Sequence, residues 1–526
     1  MKTTLRDLVW VLPTSLGLGA VLSILSPGAW AIGWLAFSFV LLLGLSAIAA
    51  LWRRAGGERV RTLGWILLLA FLLRLGLGMV LTYVLPAFGN DNPVDRAGYV
   101  FRDAYNRDTQ AWTLASSADP IRKAFDKGYS TDQYGGLLAF SALAYRTLSP
   151  DAHRPWLVIL AAALTAAAGV VLAWKAARQA WGDSIATPVA WIMALYPESV
   201  LLGASQMREP FLITFAVMFL WGIIDWQASR HRTAWVWMGT ALAGMLLVSP
   251  GMAIFSLLGL GGWAWLKSGE RRLPWRSALI GMVVLAVALV LLWLGLSVGR
   301  LAGDWPVEVF STWLKWTAKW DTFVLETNSG WIQSVFKQLP QPLHIPFITG
   351  YGLTQPLLPA AIFDTTVWPW TAINILLAAG WYALLPFLIA GLIAVWKNPE
   401  KRERRAWIWL WVVTWVWIIF SSYRAGGDQW DNPRYRAWFL LWQALLAAQA
   451  LVWWRRVRSP WMGRILAVEA VFLVFFSVWY SSRYGTWANQ PLHVFVIIAA
   501  VALVSGLILA GGWISDKIRR RRTKNV

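Results

Sequence analysis

Cysteine is missing altogether from the 526 residues, which excludes a disulfide framework, a metal–thiolate site and a thiol nucleophile. Charge is scarce as well: 14% of the chain is charged, against 58% hydrophobic. No P-loop, dinucleotide-binding glycine fingerprint, HExxH or GxSxG motif falls in a suitable setting. Internal repeats and low-complexity tracts are not evident either. What the chain does have is a succession of apolar runs of about 20 residues from end to end, where a soluble protein would use amphipathic patterns. The composition therefore points to an all-α polytopic membrane protein. A formal net charge of +21 would suit a nucleic-acid binder. Its Lys and Arg, however, fall in short segments between apolar runs, as topology signals do, so no nucleic-acid partner is expected. The 41 Trp residues suit many helix ends in the headgroup layer.

The apolar runs predict spans at Leu8–Leu25, Ala29–Leu51, Leu63–Val84, Trp156–Ala173, Thr187–Gly203, Glu209–Trp226 and Ala234–Ser249. They continue at Met252–Leu266, Ala278–Val298, Thr371–Trp396, Ala406–Ser421, Ala437–Val452, Met462–Tyr480 and Leu492–Trp513. That makes about fourteen, with ends good to roughly four residues. Under this count every basic cluster lands on one face: Arg53 to Arg61, Lys175 with Arg178, Arg230 with Arg232, 267–276, 398–405, 453–458 and the tail at 514–526. The positive-inside rule then puts both termini in the cytoplasm of a plasma-membrane protein. The first run also has the outline of a signal peptide, but it is long for one and is expected to stay as a helix.

Two outer connections are too long to be turns, and long loops tend to be functional. Residues 85–155 form the first, in which the short apolar stretch Tyr134–Leu148 is expected as a re-entrant or interfacial helix. Residues 299–370 form the second, where Phe310, Trp313, Leu314, Trp320 and Phe323 approach helical spacing among charges, as in a helix lying in the headgroup plane.

Chemistry is expected at the outer rim. Ahead of its short apolar stretch the first loop carries seven aspartates, most of which suit a solvated, salt-bridged surface. Asp103 and Asp108 differ, because Tyr99, Tyr105 and Trp112 are interleaved with them. A carboxylate beside aromatic surface is partly desolvated, which should raise its basicity. On a helix Asp103, Arg107 and Gln110 share a face, whereas Asp103 and Asp108 do not, so joint chelation by the two would need a break. A second cluster, 196–211, sets Arg208 and Glu209 at a helix entry between Pro197 and Pro210. It suits either a phosphate seat or plain dipole complementation with snorkelling. A third, 422–436, alternates Arg424, Arg434 and Arg436 with Asp428 and Asp431, more charge than a turn needs. Arg74 in mid-span must face a cavity or a partner, and His344 suits a surface position.

The order of these features resembles the GT-C glycosyltransferases, in particular the protein O-mannosyltransferase and aminoarabinose-transferase lineage. The likeness runs from Leu63 to about Trp370. It comprises a helix, Asp103 in RDAYNRDTQA, Gln133-Tyr134-Gly135-Gly136 with LLAFSALAYRTL, a run of short-linked helices, and NPRYR near the last outer loops. Departures are the lack of an adjacent acidic pair in the loop and two extra helices before the core. The resemblance implies accessory helices at 1–62, a core at 63–298 with its catalytic loop at 85–155, the outer loop at 299–370, and a C-terminal membrane module at 371–513. It further implies a polyprenyl-phosphate-linked sugar as donor and a lipid, protein or glycan acceptor among the membrane lipids. Asp103 or Asp108 would be the base. Arg208, Arg434, Arg436 and Arg424 would hold the donor phosphate, and Tyr99, Tyr105, Tyr134, Glu209 and Asp431 would line the substrate. A divalent metal stays open as cofactor. A polysaccharide polymerase or O-antigen ligase, and a transporter or lipid flippase, are the competing readings. Transporters favour mid-membrane ionisable groups and repeated halves, which this chain has only at Arg74.

Overall fold

The fold is that of a computed structural model, which describes residues 2–56, 59–129, 134–268, 330–363, 366–397, 400–485 and 492–522. The span expected at Ala278–Val298 and the headgroup-plane helix expected around Phe310–Phe323 lie outside these residues.

Every extended apolar run in the described residues is helical, as backbone groups in a lipid phase require. The N-terminal part comprises α1 (Lys2–Ile24), α2 (Trp30–Arg53), α3 (Val60–Phe88), the short α4 (Pro93–Arg96), α5 (Arg102–Ser116) and α6 (Gly136–Leu148). The middle comprises α7 (Trp156–Trp181), α8 (Asp183–Leu195), α9 (Pro197–Gly203), α10 (Glu209–Ser229), α11 (Thr233–Val248) and α12 (Pro250–Ser268). After the undescribed segment come α13 (Gly330–Gln338), α14 (His344–Thr354), α15 (Leu358–Phe363), α16 (Trp368–Trp396) and α17 (Lys401–Arg424). The chain closes with α18 (Asp431–Ala437), α19 (Leu440–Val457), α20 (Pro460–Tyr484) and α21 (Val494–Arg522).

Among the described residues eight helices are long and apolar enough to cross a membrane, ten if two bent pairs each count as one span. The shortest of the eight, α10, has 21 residues and so measures about 31 Å, the thickness of a bilayer core. The expected fourteen are not reached in these residues. The apolar part of α1, Val9–Ile24, and the 16-residue α11 fall short of the length. Helix α6 has 13 residues and is likewise too short to cross, as anticipated.

One expected span is broken. Residues Thr187–Gly203 form α8 and α9, bent by 54°, because Pro197 brings no N–H and its ring displaces the carbonyl four residues back. The carbonyls freed at the break are met by Arg74, whose guanidinium donates to Met193 O at 2.9 Å, Ala194 O at 3.0 Å and Ser199 Oγ at 2.9 Å. The mid-span arginine is therefore a cap for a broken helix end. The second bent pair is α18 and α19, at 76°.

Contacts at the helix ends fasten several of the basic connections. Arg178 in the last turn of α7 reaches Ala55 O after α2, Lys267 of α12 pairs with Glu403 of α17, and Arg464 of α20 pairs with Asp516 of α21. These connections share one end of the bundle, the basic end. At the opposite, loop-bearing end Asp151 and Arg154 bind the backbone N–H and carbonyl of Ala29 between α1 and α2.

Candidate active site at the loop-bearing end

The first loop is folded rather than trailing in solvent. Asn92 caps α4 through the N–H groups of Val94 and Asp95, and the buried Asp95 carboxylate accepts from Asn90 N and from Trp370 Nε1 at 2.8 Å. At Gly98 the backbone has φ +77° and passes so close to α3 that a Cβ would lie 2.6 Å from Thr82 O, so glycine is required. The chain then enters α5 with Tyr99, Phe101 and Ala104 packed on Leu81, Leu85, Leu201, Leu202 and Trp370. This apolar floor holds the outward face of α5 at the rim.

Asp103 stands on that face with 54% of its side chain exposed, and Arg434 Nη2 donates to its Oδ2 at 2.9 Å. The two residues are 331 positions apart. Arg434 is itself nearly enclosed and faces two further carboxylates, Glu209 Oε1 at 3.2 Å from Nε and Asp431 Oδ1 at 3.6 Å from Nη1. Glu209 is fully buried and also receives Trp438 Nε1 at 3.3 Å. Its other oxygen, Oε2, has no hydrogen-bond partner among the described residues.

Arg208 adjoins this cluster. Its guanidinium lies 5.6 Å from the ring centres of both Tyr134 and Trp438, and among the described residues it makes no ion pair. A cation held by two aromatic faces keeps its N–H groups available to an anion. Arg107 is buried beneath, donating to Gln206 O and approaching Met207 Sδ, which ties α5 to the segment leading into α10. Burial alone pushes the Asp103 carboxyl up, but the Arg434 guanidinium, with the charges of Arg107 and Arg208 behind it, holds it below its ordinary range. The expectation that desolvation raises its basicity is thus overturned, since guanidinium charge outweighs burial at this position.

Asp108 is placed differently. Helix α5 runs unbroken through both aspartates, so Asp108 turns inward, with a side chain 1% exposed. It accepts from Tyr99 OH at 2.6 Å and Tyr145 OH at 2.5 Å, and His153 Nε2 lies 2.9 Å away. Burial, then the Asp108 charge, pushes both phenols up, so they remain donors. Trp112 stacks on His153 at 5.2 Å and closes the cluster. Its acceptors are taken, and Asp108 locks α5 to α6 and to the loop before α7 without facing the rim. The expected catalytic role of Asp108 is not carried by this geometry.

The remaining expected residues divide in the same way. Tyr105 packs edge-on against Tyr99 at 5.4 Å, on the side of the Asp108 network, whereas Asp431, 42% exposed, belongs to the cluster beside Arg434. Arg424 lies over Tyr435 at 4.7 Å, the ring that Arg434 also faces at 5.4 Å. Arg436 does not belong: fully buried, it donates to Leu353 O and Gln355 O and covers Trp381 at 3.8 Å. An i, i+2 spacing cannot keep both arginines of NPRYR on one face of α18, so one points to the rim and the other into the bundle. Sequence reasoning missed Trp438 and His153. Trp438 stands two residues after Arg436, but a tryptophan in an apolar run carries no signal of its own. His153, at the loop's far end, could have been suspected as a partner for an inward aspartate. Among the described residues no three His, Asp or Glu side chains converge as metal ligands.

No family model matches the sequence, and no curated protein matches it. Solved structures do. The apo form of the Archaeoglobus fulgidus oligosaccharyltransferase matches with a TM-score of 0.42 at 14% identity, over 85% of this chain and 54% of that one. The oligosaccharyltransferase AglB of the same organism, in complex with an inhibitory peptide and a dolichol-phosphate, matches with a TM-score of 0.39 at 15% identity, over 87% of this chain and 56% of that one. The chain therefore spans about half the length of the solved structures it resembles.

Proposed function

We propose that the chain is a GT-C glycosyltransferase of the plasma membrane, moving a sugar from a polyprenyl-phosphate-linked donor to an acceptor hydroxyl on the outer face. The observation that carries this reading is the meeting of a half-exposed carboxylate, Asp103, with Arg434 and Arg208 at one rim of a helical membrane bundle. Such a rim can reach a headgroup-level phosphate while the lipid tail stays among the helices.

In this mechanism Asp103 Oδ takes the proton of the acceptor hydroxyl as its oxygen attacks the anomeric carbon. The bond from that carbon to the phosphate oxygen breaks, the electron pair leaves with the phosphate, and the configuration inverts. Arg208, with its N–H groups uncommitted to carboxylates, is the seat for the leaving phosphate, whose charge grows in the transition state. Arg434 is a positioning residue that holds Asp103 in place until the donor arrives. A phosphate anion drawn to Arg208 and Arg434 offsets the charge that keeps Asp103 a weak base, so donor binding prepares the base. Tyr134 and Asp431 line the sugar, and both termini lie in the cytoplasm.

Purified protein given a polyprenyl-phosphate sugar and a hydroxyl acceptor should release polyprenyl phosphate. Asp103→Asn should lower the rate by about 10²- to 10⁴-fold with unchanged chromatographic and melting behaviour. Full activity in that variant removes the base assignment. Solute uptake into vesicles without sugar transfer favours a transporter, and growth of a glycan chain on the acceptor favours a polymerase or ligase.

A further inference from the structure

The end of the bundle opposite the rim holds a cavity of about 470 Å³ between the last turns of α2 and α7, the start of α8 and the flank of α10. Arg54, Lys175, Arg178, Gln179, Asp183 and Trp221 line it. Three of the lining residues are cations and one, Asp183, is a carboxylate that is already taken; Asp225 of α10, beside the lining, adds an acidic charge felt by Lys175. Arg178 Nε pairs with Asp183 Oδ1 at 2.8 Å, its Nη1 donates to Ala55 O at 2.7 Å, and its carbon centre covers Trp174 at 5.2 Å. Lys175 rests its ammonium 4.3 Å from the ring centre of Trp221, and Arg54 is exposed at the mouth. Among the described residues neither of these two makes an ion pair. Like charges at one cavity are a cost unless an anion bridges them. The cavity sits where basic connections and tryptophans meet, at the ends of helices long enough to span, which is headgroup depth.

We propose that this cavity binds the phosphate-bearing headgroup of an anionic phospholipid, with Arg54 and Lys175 as the charge partners and Arg178 as a fixed wall donor. Basic pockets between membrane helices take such headgroups by Coulomb attraction and by N–H donation to phosphate oxygens. The inference is independent of the chemistry at the rim, since it uses none of the same residues.

The test uses the full chain in phosphatidylcholine nanodiscs, with and without phosphatidylglycerol, and follows bound lipid by native mass spectrometry and stability by melting. The wild-type protein should retain phosphatidylglycerol and melt higher with it. The Arg54→Gln/Lys175→Gln double variant should lose about thirtyfold in apparent affinity while melting normally in phosphatidylcholine alone. Lys401→Gln/Arg402→Gln, which removes two exposed charges elsewhere on the same end, should retain the lipid. Equal loss in both double variants, equal retention of phosphatidylcholine, or equal stabilisation by inorganic phosphate would each overturn the proposal. If the cavity variant does not fold, Lys175→Gln alone should still lose about fivefold, and wild-type affinity there would equally overturn it.

Discussion

At the scale of single residues the rim turns on how Arg434 divides its five donors. Facing Asp103, Glu209 and Asp431, it keeps a buried glutamate paired and a half-exposed aspartate oriented. Asp103 consequently has a folded-state pKa below that of the unfolded chain. A depressed carboxylate contributes stability above about pH 4 and loses it as pH falls through the lower folded value. On the proposed mechanism the same shift has a kinetic signature. The acid limb of kcat/KM reports the free enzyme and should fall below the ordinary carboxylate range, whereas the limb of kcat reports the enzyme with donor bound. Because a bound phosphate offsets the guanidinium charge, the kcat limb should lie at higher pH than the kcat/KM limb. Coincident limbs would show that donor binding leaves Asp103 unaltered.

At the scale of elements the decisive feature is the break between α8 and α9. It lets the chain re-enter the rim as the Gln206–Glu209 segment instead of continuing as a straight span, and that segment carries Arg208. Arg74 satisfies the broken end, and Gly78 allows α3 to approach so closely that a Cβ would lie 2.6 Å from Ala204 O. Arg74→Met should leave two buried carbonyls and a hydroxyl without their donor, at about 1–3 kcal/mol each. The expected result is a lower melting temperature and faster hydrogen exchange across 196–208, with sugar transfer reduced because Arg208 is no longer held. Wild-type melting and exchange would remove the capping role.

Long helices were legible in the sequence because a lipid phase admits only runs of apolar residues. The predicted Trp156–Ala173 differs from α7 mainly by a basic extension to Trp181. The break at Pro197 was not, since an apolar run reads alike whether the helix bends or not. Its cap comes from Arg74, 119 residues from the carbonyl of Met193. The same distance problem hid the burial of Asp108, whose partners Tyr145 and His153 lie 37 and 45 residues on. The separation of Asp103 from Asp108 was legible, because the helical period alone puts the two on different faces.

At the scale of the whole molecule the two ends are chemically unlike. One gathers carboxylates, arginines and aromatic rings from α5, the start of α10 and α18. The other gathers the basic connections, fastened by Arg178–Asp183, Lys267–Glu403 and Arg464–Asp516. By the positive-inside rule that asymmetry predicts the basic end on the cytoplasmic side. The absence of cysteine makes this directly measurable, since any introduced thiol is the only one present. Thr109 is exposed on α5 at the loop-bearing end, and Ser229 is exposed at the end of α10 among the basic connections. Thr109→Cys should react with a membrane-impermeant maleimide in intact cells, and Ser229→Cys only after permeabilisation. Labelling of both from outside would break the alternation of α3 to α10 on which the bundle is built. The reverse pattern would turn the rim to the cytoplasm, where Asp103 and Arg434 could act only on a donor presented from that side.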